Sequence, residues 1–280
     1  MKRTFEFGHQ TPPVCRLGLA TRGNTHLDPK DIHDAVARGV NYLNWCGHPD
    51  GLSKAIAEMG PRREQIVLTW QLQAATAQRA TEELDIALRE MNTDWIDIVT
   101  FYYVESEREW SNIASGAYQS MCKARAEGKI RLLGLTSHQR QMAAHIASGK
   151  IQAPDQNTDR PLDMLMLRYN AAHRGAEQDV FPITDPIQIP VVVYTCLRWG
   201  ALAKPTPQDP PGFTPPPPRE WYRFCLANPS VAVAITAPNG RDELEHNLAL
   251  LNDWHPPSKE AYQTLTEHGD RVYQHAGSFP

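Results

Sequence analysis

The sequence predicts an α/β fold, a (β/α)8 TIM barrel with an appended C-terminal helix. Three observations lead there. Eight short apolar, β-branched runs are spread along the 280 residues. Segments of helical period fill the intervals between them. Most of the eight runs are apolar on both faces, as parallel strands covered on both sides are. An open doubly wound sheet is the alternative arrangement of the same elements.

The candidate strands are "VCRLGLAT" (14–21), "NYLNW" (41–45), "QIVLTWQL" (65–72), "WIDIVTFYY" (95–103), "IRLLGLTS" (130–137), "MLMLRYN" (164–170), "IPVVVYTC" (189–196) and "VAVAITA" (231–237). Asp28 and Pro29 open the first helix as cap and first-turn residue, and Gly39 closes it. Segment 76–92 puts Ala80, Leu84, Ala87, Leu88 and Met91 on one stripe. Segment 112–129 ends near Gly128, 241–253 follows the last strand, and 258–274 forms the appended helix. The length suits a single barrel domain over 1–280. One segment breaks the rhythm: 203–220, after the seventh strand, holds eight prolines. It reads as a stiff extended connection, as a lid over the barrel mouth, or as a PxxP ligand for another protein.

Composition narrows the function classes. Net charge is −4 with both signs interspersed, and no Lys/Arg run offers a nucleic acid or an anionic membrane a docking stripe. No stretch approaches ~18 apolar residues, so no membrane span is expected. The N-terminus lacks the apolar core of a signal peptide. Five cysteines, odd in number and without a CxxC pair, fit reduced thiols and a cytoplasmic location. The expected partner is therefore a small-molecule ligand or substrate.

Residues 39–51, "GVNYLNWCGHPDG", look like a strand that delivers side chains to a site: Asn44, Trp45, Cys46 and His48 fall within five positions. His48 is either a solvated loop residue or an acid that titrates near neutral pH. Tyr102 and Tyr103 end the fourth strand, so alternation sends one to the barrel mouth and one to the outer helices, with Tyr102 inward. Cys46 has no adjacent base and reads as an inert thiol. His138 reads as a surface loop residue. Cys46, His48 and His138 could meet at the rim, but their spacing matches no metal motif and no metal is expected.

Several segments resemble the aldo/keto reductase superfamily: "RLGLAT", "GVNYLNW", "GKIRLLGLTS", "RYNAAHRGAEQDVFP" and "VAVAITAPNGRDELEHN", in family order and spacing. The resemblance covers nearly the whole chain. It implies a barrel that binds NADPH at its C-terminal rim. There, hydride passes to a carbonyl while a Tyr, tuned by Asp, Lys and His, donates the proton. That chemistry needs such a set, because a phenol with a pKa near ~10 is a poor acid until a neighbouring cation lowers it.

Carried over by position, the set is changed throughout. The Asp falls on Asn44. The Tyr falls on Pro49, or on His48 or Asp50 with one deletion. The Lys falls on Trp70, read as an apolar or stacking floor, and the His falls on Tyr102. In the cofactor pocket, Thr136 and Ser137 stand where a Ser-Asn pair holds the nicotinamide carboxamide, and Met166 stands where a Gln joins them. Tyr194 matches the stacking aromatic and Asn247 the adenine contact. Glu243 replaces the Arg that meets the 2′-phosphate, His246 replaces a Glu, and Ala237-Pro238 replace a small polar pair. Arg241 and Asn239 remain as nearby polar groups. A carboxylate repels a phosphate dianion. The expectation is thus no dinucleotide or weak NAD(P) binding, with NADPH implied by the resemblance alone.

Two functions stay open. One is a small-molecule binder or repurposed non-redox enzyme with an aromatic pocket (Trp45, Trp70, Tyr102, Tyr194). The other is an active NAD(P)H oxidoreductase with His48 or Tyr102 as proton donor. A third, an interaction protein, rests on the Pro-rich segment.

Overall fold

The computed structural model describes residues 1–21, 27–153 and 160–275. Strands β1 (Thr4–Phe5) and β2 (Val14–Cys15) form an antiparallel pair. Strands β3 (Leu17–Ala20), β4 (Tyr42–Trp45), β5 (Val67–Leu72), β6 (Ile96–Phe101), β7 (Ile130–Ser137), β8 (Met164–Arg168), β9 (Val191–Tyr194) and β10 (Val231–Thr236) close into a barrel of parallel neighbours, β10 pairing back onto β3. The helices are α1 (Pro29–Ala37), α2 (Gly51–Ala57), α3 (Ala77–Glu90), α4 (Glu107–Ser115), α5 (Ala117–Ala126), α6 (Arg140–Ala147), α7 (Ala176–Asp179), α8 (Phe181–Thr184), α9 (Pro218–Ala227), α10 (Arg241–Leu248) and the appended α11 (Lys259–His275). The closed barrel is the predicted (β/α)8 architecture, and the open sheet is set aside. None of the described helices is long and apolar enough to cross a membrane.

Two predicted elements divide. The run 14–21 splits at Arg16, whose buried guanidinium donates to the carbonyls of Lys2, Leu226, Asn228, Val231 and Ala232. Those five carbonyls satisfy a charge-bearing group that could not otherwise stay buried. The helical segment 112–129 breaks at Gly116, between α4 and α5. A Cβ there would lie 2.5 Å from the Ala75 carbonyl oxygen, so the chain passes too close for any side chain.

Side chains alternate across the barrel wall. Tyr42, Val67, Ile98, Met164, Met166, Val192, Val233 and Ile235 form one buried cluster inside it. Leu43, Trp45, Leu68, Trp70, Val99 and Phe101 point outward into the layer shared with the helices. Trp45 and Trp70 sit opposite each other in register on that outer face, and each aromatic taken out of water there contributes about 2–3 kcal/mol. Tyr42 crosses the barrel interior and stacks on Phe7 at 5.7 Å. Gly18 makes room for it, since a Cβ there would stand 2.8 Å from the Tyr42 ring and 2.9 Å from Val233.

The Pro-rich segment packs onto α11. Asp209 receives the Thr206 backbone N–H, the Arg271 guanidinium (2.7 Å) and the His268 ring (3.0 Å). The other ring nitrogen of His268 lies 3.2 Å from the Leu202 carbonyl, and Phe213 and Trp221 cover the imidazole. Pro217 and Pro218 then open α9, where a missing N–H costs nothing.

Candidate functional site

A cavity of about 1030 Å³ opens at the C-terminal ends of the barrel strands and runs to the first turns of α10. Loops at this end of a barrel can vary while the strands hold them.

β4 delivers Asn44, then a short loop delivers Cys46 and His48. The loop is tightly specified. Gly47 takes a positive φ of 87°, the Trp45 indole donates to the His48 carbonyl at 2.8 Å, and Asp50 caps α2 through the Leu52 and Ser53 N–H groups. The Asn44 amide nitrogen lies 3.7 Å from the Cys46 sulfur, and its Oδ1, although buried, has no hydrogen-bond partner among the described residues. Thr21 Oγ1 and Thr195 Oγ1, both in the same wall, are likewise without a partner among the described residues. A buried acceptor left this way costs about 1–3 kcal/mol until something binds to it.

Trp70 does not reach the cavity. β5 turns Val67, Thr69 and Gln71 inward and Trp70 outward, so Gln71 lines the wall and donates to the Met166 sulfur at 3.7 Å. Trp45 faces out as well, for the same reason of parity. Two amides, Asn44 and Gln71, therefore face inward from adjacent strands, Gln71 two residues beyond Thr69, the register partner of Asn44.

Tyr102 and Tyr103 both line the mouth, where alternation had sent one to the helices. β6 ends at Phe101, and Tyr103 takes a positive φ of 40° that folds its ring back over the cavity. Its N–H is held by Thr136 Oγ1 at 2.7 Å. The two rings lie 4.3 Å apart.

Thr136 and Ser137 are occupied elsewhere. Thr136 Oγ1 also donates to the Phe101 carbonyl, while Ser137 Oγ donates to the Val104 carbonyl (2.7 Å) and accepts the Gln139 N–H (2.8 Å). Neither side chain lines the cavity. His138, expected at the surface, lines it instead. Its Nδ1 lies 3.2 Å from Glu105, and burial holds its pKa below the ordinary imidazole value, against the nearby Glu105 charge. The local signal for this is slight: a carboxylate one strand-end away, at the neighbouring loop.

Met166 and Tyr194 are in the wall. The Tyr194 hydroxyl donates to the Ser137 carbonyl at 3.1 Å, and burial pushes its pKa well above the usual phenol value. Beyond it, Thr195, Arg198, Trp199 and Gly200 all take positive φ, between 45° and 83°. Three of these four are not glycine, so the loop stores strain of roughly 1 kcal/mol or more per residue. Trp199 stays 48% exposed at the mouth.

At the far end, Ala237, Asn239, Glu243, His246 and Asn247 line the cavity. Asn247 is committed to Thr236 Oγ1 at 2.6 Å, and Glu243 accepts the Asn239 N–H. Arg241 turns away to Asp31, Asp34 and Glu245, at 3.0, 2.6 and 2.7 Å. Among the described residues, Glu243 is the one carboxylate in the wall, and no lysine or arginine joins it. No group of three or more metal-type ligands is gathered among them.

Search of curated proteins finds no match. Solved structures match well in shape. An aldo/keto reductase from Klebsiella pneumoniae in complex with NADP and acetate superposes with a TM-score of 0.76 at 19% identity, covering 96% of each chain. An aldo-keto reductase from the same organism in complex with NADPH gives 0.74 at 18%, again over 96% of each. The holo form of an aldo-keto reductase from Bacillus halodurans gives 0.71 at 17%, over 92% of this chain and 93% of that one. Identities this low speak for the fold. The model of the aldo/keto reductase family itself matches residues 24–220, well over half the sequence, and the chain belongs to that family.

Proposed function

We propose that this barrel has left dinucleotide-dependent carbonyl reduction and uses its cavity for a small, neutral, partly aromatic organic molecule, which it binds or converts without hydride transfer. The observation that carries this reading is the wall: amides at Asn44 and Gln71, phenols at Tyr102, Tyr103 and Tyr194, and no cation among the described lining residues. An Asp and a Lys would tune a phenol for proton donation, whereas two neutral amides do not. The dinucleotide fits in part. Tyr194 offers a stacking face, but a 2′-phosphate at the position the family resemblance implies would face Glu243, and Arg241 is held by three carboxylates outside the cavity. A cytoplasmic setting belongs to the same proposal, since five cysteines without a disulfide suit a reducing compartment.

The second reading is an NAD(P)H oxidoreductase with His48 or Tyr102 as proton donor, favoured by Tyr194 and by the NADP and NADPH held in the Klebsiella neighbours. Titrating NADPH and NADH while following Trp fluorescence separates the two. Micromolar binding of either overturns the first reading, and no binding of either overturns the second.

A further inference from the structure

One imidazole in the cavity wall is clamped. His138 follows β7 directly, and a single oxygen of Glu105, Oε1, accepts its backbone N–H (2.9 Å) and lies 3.2 Å from its Nδ1. The ring lies flat against Tyr103, with centroids 4.3 Å apart and 20° between planes, and meets Tyr194 edge-on at 6.2 Å. Glu105 comes from the loop after β6, so two adjacent strand ends build the pair. A carboxylate on Nδ1 keeps the proton on that nitrogen and leaves the lone pair on Nε2. His48, by contrast, is exposed.

We propose that His138, oriented by Glu105, is the proton acceptor of this cavity, acting on neutral carbonyl compounds that carry an acidic α-C–H next to an aromatic or apolar body. This rests on the reading of the cavity as one that works without hydride. The step balances within the site. Nε2 takes the α-proton, the C–H electron pair forms the C=C bond of an enolate, and the carbonyl π pair moves to oxygen. The imidazolium then returns the proton to the same carbon as the carbonyl re-forms, and no oxidant or reductant is consumed. The wall suits a neutral carbonyl compound: the amides of Asn44 and Gln71 and the phenols of Tyr102 and Tyr103 line it, and no lysine or arginine is among its described lining residues. The rings of Tyr103 and Tyr194 fit the aromatic body. Burial supports the role by keeping the imidazole neutral at neutral pH. The charged groups facing it are Glu105, which opposes that shift, and Arg168, which adds to it. Glu105 is a positioning residue.

The test follows α-proton exchange of 1-indanone in deuterated buffer by NMR, with no dinucleotide present. The wild-type protein is expected to accelerate exchange over buffer, with an acid limb in its pH profile. His138→Gln is expected to lose about 100-fold of that acceleration. Glu105→Gln should move the acid limb, and Glu105→Asp should restore it, neither of which a merely structural role explains. If His138→Gln does not fold, ¹⁵N-histidine spectra of the wild type serve instead: His138 should hold its proton on Nδ1 and shift on adding 1-indanone. Exchange no faster than in buffer, equal exchange in wild type and His138→Gln, or a His138 resonance indifferent to 1-indanone overturns the proposal. Dinucleotide binding with exchange intact overturns only the reading of the cavity as one that has left dinucleotide chemistry. No dinucleotide binding and no exchange overturns only this one.

Discussion

The indole N–H of Trp45 donates to the carbonyl of His48 at 2.8 Å, so a side chain packed in the outer layer fixes the loop at the cavity mouth. Trp45→Phe keeps most of the packing and deletes that bond. It should cost about 1–2 kcal/mol in urea unfolding and loosen the loop, seen as faster amide exchange at Gly47 and His48. Unchanged exchange there would show that Gly47 and Asp50 suffice to hold the turn.

Gly18 should not tolerate alanine. A methyl group 2.8 Å from the Tyr42 ring must push that ring or Val233 aside, at about 1–3 kcal/mol. Thermal denaturation reads the loss, and pairing Gly18→Ala with Tyr42→Leu should recover part of it. A double variant no better than the single one would place the strain in the backbone instead.

Asp209→Ala should release the Pro-rich segment from α11. The change strips a carboxylate from His268 and Arg271 together, and breaking such a buried pair costs about 3 kcal/mol. Limited proteolysis should then cut within 204–217 faster than in the wild type. Equal cleavage in both would mean that Phe213 and Trp221 hold the segment alone.

Acid should weaken the fold through His173. Burial, with Arg168, Arg198 and Arg140 nearby, lowers its pKa to about 4, whereas in the unfolded chain it titrates near ~6.5. Between those values the unfolded state binds more protons, so stability rises with pH through this window and is lost as pH falls. His138 shifts in the same direction. The His173 share is about 2 kcal/mol, allowing for partial solvation. Urea midpoints measured from neutral pH down to about 4.5 should fall less steeply for His173→Gln, and parallel curves would remove His173 from the account.

The barrel was legible because its strands are apolar on both faces, and the same property hid the site. In "LTWQL" Leu68, Trp70 and Leu72 alternate with Thr69 and Gln71, but in a barrel wall buried on both faces that alternation does not say which set faces in. The neighbouring strands decide it by register, and a one-residue slip exchanges the two faces. Alternation also stops being a guide where a strand stops, which is why Tyr103 returns to the mouth on a positive φ. Thr136 and Ser137 sit at the expected positions, yet their hydroxyls are spent on carbonyls of the adjacent loop, a contact between strands that no linear pattern encodes. His138 was missed for the matching reason: its partner Glu105 lies on a different loop.

A wall with a single carboxylate and no cation among its described residues also bears on how a ligand arrives. No long-range field draws the molecule in, so encounter should proceed at the unsteered rate of roughly 10⁵–10⁶ M⁻¹s⁻¹ and barely change with added salt. Discrimination then falls to what happens after entry, in the dwell time set by ring contacts and by the oxygens of Thr21, Asn44 and Thr195, which have no partner among the described residues.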